Sequence, residues 1–205
     1  MSAVDDLIQS FEYEASLDLS SEVTPDVGII MGSDSDLPVM RGAANALQEL
    51  GFLEQSHFED PPDARFTYET FVISAHRTPD LMYAYAATAA ERGIDIIIAG
   101  AGGKSADLPN MTASIAYPVP VIGVPVQEKS VDSVIGMPTG APIVAVDAAK
   151  SFNAGLSAAQ FLSLSQPTLQ SELEAYHREL QTRVGRDSQR LHEQGIENYV
   201  MEDNT

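Results

Sequence analysis

The chain has no cysteine, which excludes disulfides, Cys-ligated zinc and a cysteine nucleophile. Positive charge is scarce too: 11 Lys+Arg stand against 30 Asp+Glu, for a formal net charge of -19. A surface this acidic repels nucleic acid and anionic lipid, so neither is expected as a partner. Lysine is especially rare, and the negative charge is spread over the chain rather than gathered in a tail. That distribution points to adaptation to concentrated salt, which screens self-repulsion while acidic side chains keep the surface hydrated. No apolar run is long enough to cross a membrane. The first 25 residues hold no basic residue and show no secretory signal, which fits a cytoplasmic location. There is no HExxH and no close His/Asp cluster, so no metal is expected. The glycine-rich stretch has neither GxGxxG nor P-loop spacing, so dinucleotide and NTP readings lose support.

What is present is an alternation of short apolar runs and helical stretches over 205 residues, 44% of them hydrophobic. Residues 1–25 form an acidic extension in which Leu7, Ile8 and Phe11 have helix-like spacing. It is expected to lie on the surface or on a neighbouring subunit, or to be partly disordered. Residues 26–166 read as the catalytic domain. Val27–Met31 is a buried strand; Val39–Leu50 is a helix ending at Gly51, and Ser35 or Asp36 is its candidate cap. Phe71–Ile73 is the second strand, followed by a helix from about Pro79 to Arg92. Ile94–Ala99 is the third strand, Leu108–Ala116 a helix, Val119–Val126 the fourth strand and Pro142–Val146 a short fifth. Ser151–Leu164 is an Ala-rich helix, and residues 167–205 form a long charged C-terminal helix and tail. Strands alternating with helices imply an α/β domain with a parallel sheet.

Three strand ends carry unusual loops: GSDSD after the first, SAHRTP after the second and AGAGGKSADLPN after the third. In open parallel sheets, ligands bind beyond the carboxyl ends of the strands, so these loops converge if their strands are neighbours. GSDSD joins a strand to a helix start, a natural anion site, although a plain capped turn has the same residues. Arg77 can pair two oxygens of a phosphate monoester, and His76 is the best candidate acid/base. A His–Arg pair can equally be a helix-start salt bridge, and GAGG a tight turn. Lys104 either meets an anion or is a surface lysine. His57, His177 and His192 read as solvated side chains.

Together the ordered motifs resemble the N5-carboxyaminoimidazole ribonucleotide mutase family of purine biosynthesis. The likeness spans roughly Val27 to Leu164 and includes VPVIGVPVQ and the MPTGAP loop. It implies a flavodoxin-like three-layer α/β/α sandwich, assembly as a homo-octamer and no metal or organic cofactor. It also implies that Ser33 and Arg77 sit near the substrate phosphate, with Ser74 adding a hydrogen bond, and Asp36 near the ribose. His76 would be the general acid/base. Gly102 and Gly103 would enclose the carboxylate or carbon dioxide, and Lys104, Ser105 and Leu108 would complete the substrate site. The family's common GGAAHLPGM is GGKSADLPNM here, with one extra residue, Asp107 for a histidine and Asn110 for a glycine. The loop near Glu59 to Tyr68 is longer than usual, and the segment after Gln127 is shorter. A direct carboxylase of aminoimidazole ribonucleotide and a non-catalytic phosphate-ligand module are the competing readings.

Overall fold

The computed structural model describes residues 2–201. Strand β1, Val27–Met31, is buried along its whole length. Successive side chains of a strand point to opposite faces. Val27, Ile29 and Met31 therefore enter one apolar core, and Ile30 enters the other. Covering on both faces is why this strand reads as an unbroken apolar run. It pairs in parallel with β3, Thr67–Val72, on one side and with β4, Ile96–Ala101, on the other. The two-residue β2, Leu53–Glu54, borders β3. Beyond β4 lie β5, Val121–Pro125, and β6, Val144–Ala145. The order is β2-β3-β1-β4-β5-β6 and every pairing is parallel.

Helices cover both faces. Helix α1 (Ala3–Ala15), α3 (Pro79–Thr88) and α4 (Leu108–Ile115) contribute Phe11, Leu81 and Leu108 to one core. The short α5, Val131–Ile135, adds Val134 there. Helix α2 (Leu37–Glu49), α6 (Ser151–Ser163) and α7 (Pro167–Gln194) supply Met40, Ala154 and Leu169 to the other. The result is a flavodoxin-like three-layer sandwich with a C-terminal helix. Backbones of α2 and α6 approach closely through small residues: a Cβ on Gly155 would lie 2.5 Å from the Ala43 carbonyl oxygen.

Several boundaries differ from the sequence reading. Strand β3 starts at Thr67, ahead of the expected Phe71–Ile73 run, because its first half carries polar residues that are nonetheless buried: Thr67 and Glu69. Helix α3 stops at Thr88, short of Arg92, and non-helical turns carry the chain to Gly93, whose φ is +80°. Neither Ser35 nor Asp36 caps a helix with its side chain; Ser33 does, accepting from the Ser35 amide at 3.3 Å at the start of a single 3-10 turn. Helix α5 had no counterpart in the apolar pattern.

Helix α1 is packed against its own chain. Phe11 is 1% exposed and meets Phe71 and Tyr85 edge-to-face, with centroids 5.0 and 5.3 Å apart. Beneath it lies Arg92, 2% exposed, whose Nε donates to Glu14 at 2.9 Å and whose Nη2 donates to Glu69 at 2.6 Å. The guanidinium also stands 4.5 Å from the Phe11 ring centroid. Burial pushes the Glu69 carboxyl up, and the Arg92 charge opposes that shift. One arginine thus ties α1, β3 and the turn after α3 together.

Candidate active site

The sheet order settles whether the three unusual loops meet. Strand β1 lies between β3 and β4, so the loops after all three leave from adjacent strand ends. Chain order reverses across β1, the topological switch where open α/β sheets form their crevice. A cleft of about 460 Å³ opens there. Ser33 and Asp36 line it from the first loop; Ser74, His76 and Arg77 from the second; Gly102, Gly103, Ser105 and Leu108 from the third. Lys104 is exposed and does not line the cleft, although its neighbours do. A concavity of about 420 Å³ on the α2 side of the sheet contains Asp34 but none of the candidate residues.

The second loop is tied to the first. Arg77 Nη2 donates to the Gly32 carbonyl at 2.8 Å, and its Nε donates to Ser74 Oγ at 3.3 Å. The same Oγ accepts from the Arg77 amide at 3.2 Å. Ser74 is held in turn by Thr78, whose Oγ1 donates to the Ser74 carbonyl at 3.1 Å and accepts from its amide at 3.0 Å. A guanidinium carries five N–H donors, so these two side-chain bonds orient Arg77 and leave donor capacity for an anion.

Asp36 is 7% exposed at the base of the cleft. Burial pushes its carboxyl up; backbone hydrogen bonding at Ser33, the Arg77 charge and backbone hydrogen bonding at Gly102 oppose the shift. A Cβ on Gly102 would stand 3.0 Å from Asp36 Oδ1, so a side chain there would crowd the carboxylate. Gly103 has φ +88°, which a residue with a side chain adopts only at a cost. Its carbonyl accepts from Ser130 Oγ at 2.8 Å, anchoring the glycine loop to the segment after β5.

His76 has a partner that sequence spacing did not reveal. Its Nε2 lies 2.9 Å from Asp107 Oδ2, 31 residues later in the chain. The other carboxylate oxygen, Oδ1, accepts from Ser133 Oγ at 3.0 Å. Asn110 Nδ2 donates to the Ser133 carbonyl at 2.8 Å. Two motif departures, Asp107 and Asn110, therefore both contact Ser133 of α5. Gln127 and Lys129, also unanticipated, line the cleft from the segment after β5. A hint of Lys129 lay in the rarity of lysine, and Gln127 closes the VPVIGVPVQ stretch; nothing local marked Ser133.

The remaining histidines, His57, His177 and His192, are exposed and outside the cleft. Among the described residues no group of three or more His, Asp or Glu is placed to hold a metal ion, and no helix is long and apolar enough to cross a membrane. The assembled groups are a guanidinium beside two serines, a buried carboxylate, an imidazole and a small-walled loop. They suit proton transfer on a bound anionic ligand.

Comparison with known proteins gives a consistent picture. Residues 26–183 match the family described as AIR carboxylase. The chain is 43% identical over 182 residues to the N5-carboxyaminoimidazole ribonucleotide mutase of Thermotoga maritima, covering 86% of this chain and 97% of that one. It is 44% identical over 186 residues to the enzyme of the same name from Pyrococcus horikoshii, covering 87% and 95%. A crystal structure of Treponema denticola PurE shares the fold, with a TM-score of 0.65, 23% identity, and coverage of 82% of this chain and 98% of that one.

Proposed function

The chain belongs to the AIR carboxylase family, and on that premise we propose that it is an N5-carboxyaminoimidazole ribonucleotide mutase. This is an isomerase of purine biosynthesis, converting N5-carboxyaminoimidazole ribonucleotide to 4-carboxy-5-aminoimidazole ribonucleotide. The observation that carries the site assignment is the placement of His76 and Arg77 in one cleft with the glycine loop.

Arg77, Ser74 and Ser33 hold the phosphate, and Asp36 accepts from the ribose hydroxyls. The glycine loop, with Ser105 and Leu108, walls the reacting end; Lys104 lies at its margin. His76 begins as the imidazolium and gives a proton to N5. The N5–carboxylate bond breaks, its electron pair stays on nitrogen, and carbon dioxide is released into the cleft. The electron-rich C4 then attacks carbon dioxide, forming the new carbon–carbon bond. C4 now bears both hydrogen and carboxylate, and His76 takes that proton back. Atoms and charge balance within one turnover, with no metal or organic cofactor in the sequence of steps. Carbon dioxide must be recaptured before it diffuses away, so tight walls and fixed orientation supply much of the rate.

On the same reading the subunits are cytoplasmic and assemble as a homo-octamer. Exposed apolar side chains such as Leu164, 87% exposed, and Val184, 68% exposed, favour burial between copies. The net charge of -19 favours operation in concentrated salt.

The experiment supplies purified N5-carboxyaminoimidazole ribonucleotide without bicarbonate and follows formation of the C4-carboxylated product. Conversion is expected. His76→Asn should lower kcat by about 10²- to 10⁴-fold while ligand binding largely survives. Conversion only when aminoimidazole ribonucleotide and bicarbonate are supplied would replace the mutase with a direct carboxylase. Undiminished function in His76→Asn would leave only a binding module.

A further inference from the structure

We infer that Asp107, backed by Ser133, is a positioning residue that selects which nitrogen of His76 exchanges protons. The inference rests on the mutase reading for its consequence but not for its geometry. An ionised carboxylate offers only acceptors. Oδ1 of Asp107 accepts from Ser133 and Oδ2 faces His76 Nε2 at 2.9 Å. Nε2 must therefore carry the hydrogen of that bond. The neutral imidazole is left with its lone pair on Nδ1.

This has a direct bearing on a reaction that gives a proton at one step and recovers one at the next. With Nε2–H held on Asp107, Nδ1 does both: it protonates N5 and later takes the proton from C4. A ring free to rotate would lose the fixed alignment of Nδ1 with N5 and C4, and misplacing a reacting group costs about 10²-fold. The support for Asp107 is itself fixed. Ser133 lies on α5, packed through Val134 into the core, and Asn110 of α4 grips its carbonyl. Helix α5 thus acts as the fixed end of a chain running Ser133, Asp107, His76.

Replacement of Asp107 separates positioning from folding. Asp107 precedes α4 but makes no side-chain capping bond, so its removal leaves the helix start unchanged. Its side chain is 34% exposed and His76 is 61% exposed, so truncation opens no sealed cavity. Asp107→Ala is the informative variant because an asparagine could still accept from Nε2–H.

The test pairs nitrogen-15 NMR of the histidine rings in the ligand-free protein, on the alkaline side of imidazole titration, with steady-state kinetics. Wild type is expected to show His76 as the Nε2–H tautomer. Asp107→Ala should shift it toward a mixture and lower kcat by about 10²-fold with KM within about twofold. Ser133→Ala should do the same more weakly. A wild-type Nδ1–H tautomer, or unchanged ring signals and kcat in Asp107→Ala, would overturn the inference. Loss of the tautomer preference in a protein whose wild type does not convert N5-carboxyaminoimidazole ribonucleotide would support the pairing and sink the mutase reading instead.

Discussion

Two contacts between a basic and an acidic side chain have similar lengths and opposite surroundings. His76 and Asp107 meet at 2.9 Å at the carboxyl end of the sheet, with side chains 61% and 34% exposed. Arg92 meets Glu14 at 2.9 Å and Glu69 at 2.6 Å under α1, with Arg92 and Glu69 at 2% and 8%. Water and salt screen the first pair, so its net contribution to stability is small. The second is out of water, where each charge depends on the others to offset its desolvation. Distance alone would rank them as equals; burial divides them into a solvated contact in the candidate cleft and a buried structural one.

The largest expected effect lies at the buried contact. Arg92→Ala should cost about 3–5 kcal/mol of unfolding free energy, because it leaves two carboxylates without their cation and removes the contact with Phe11. Denaturant unfolding measures this, and kcat per folded molecule should be unchanged. If the loss is no greater than for a surface substitution, the contrast between the two contacts fails. Next comes Arg77→Ala in the cleft. A charged contact to phosphate should be lost along with the tie to Gly32, weakening substrate binding by about 2–4 kcal/mol. The readout is KM, or ligand titration, with a small change in unfolding midpoint. Equal losses in stability and binding would show that Arg77 belongs with Arg92 as a structural residue.

The smallest effect sharpens the role of a half-buried acid without an arginine. Burial pushes the Asp26 carboxyl up to about 6, opposed by the hydrogen bond from the Thr67 amide at 2.7 Å and reinforced by Asp95. Between the ordinary carboxyl value of 3.8 and about 6, the folded chain keeps a proton that the unfolded chain has lost. Stability from this group is therefore full at low pH and is lost as pH rises through that window. Asp26→Asn should flatten the dependence there and be no less stable above it. Urea unfolding of both proteins across the window tests this; identical slopes would refute it.

Much of the arrangement was legible in the chain because buried parallel strands need continuous apolar runs. β1 and β4 announce themselves this way, and each is followed by a loop whose residue types are unusual for a plain turn. β3 was half hidden. Its opening residues include Thr67 and Glu69, which read as polar and exposed until Arg92 and Gln55 are seen beside them. Helix α5 is only five residues long, too short for a helical period to show. Most of the candidate residues that line the cleft were legible because they sit at strand ends. Lys104 was not brought to the cleft, since the glycine loop turns its side chain into solvent.

The chain by itself determined the kind of fold, which loops are unusual and the residue types they carry, because apolar periodicity and strand-end composition are local properties; that these loops meet was decided by the strand order. Tertiary structure alone decided the partnerships. Asp107 lies 31 residues from His76 and 26 from Ser133, and Glu14 lies 78 from Arg92. No local pattern encodes such separations; they follow from strand order and from the loops and helices that order brings together. In sequence Asp107 was only a departure from a familiar motif. In the folded chain it faces the imidazole that the proposed chemistry requires.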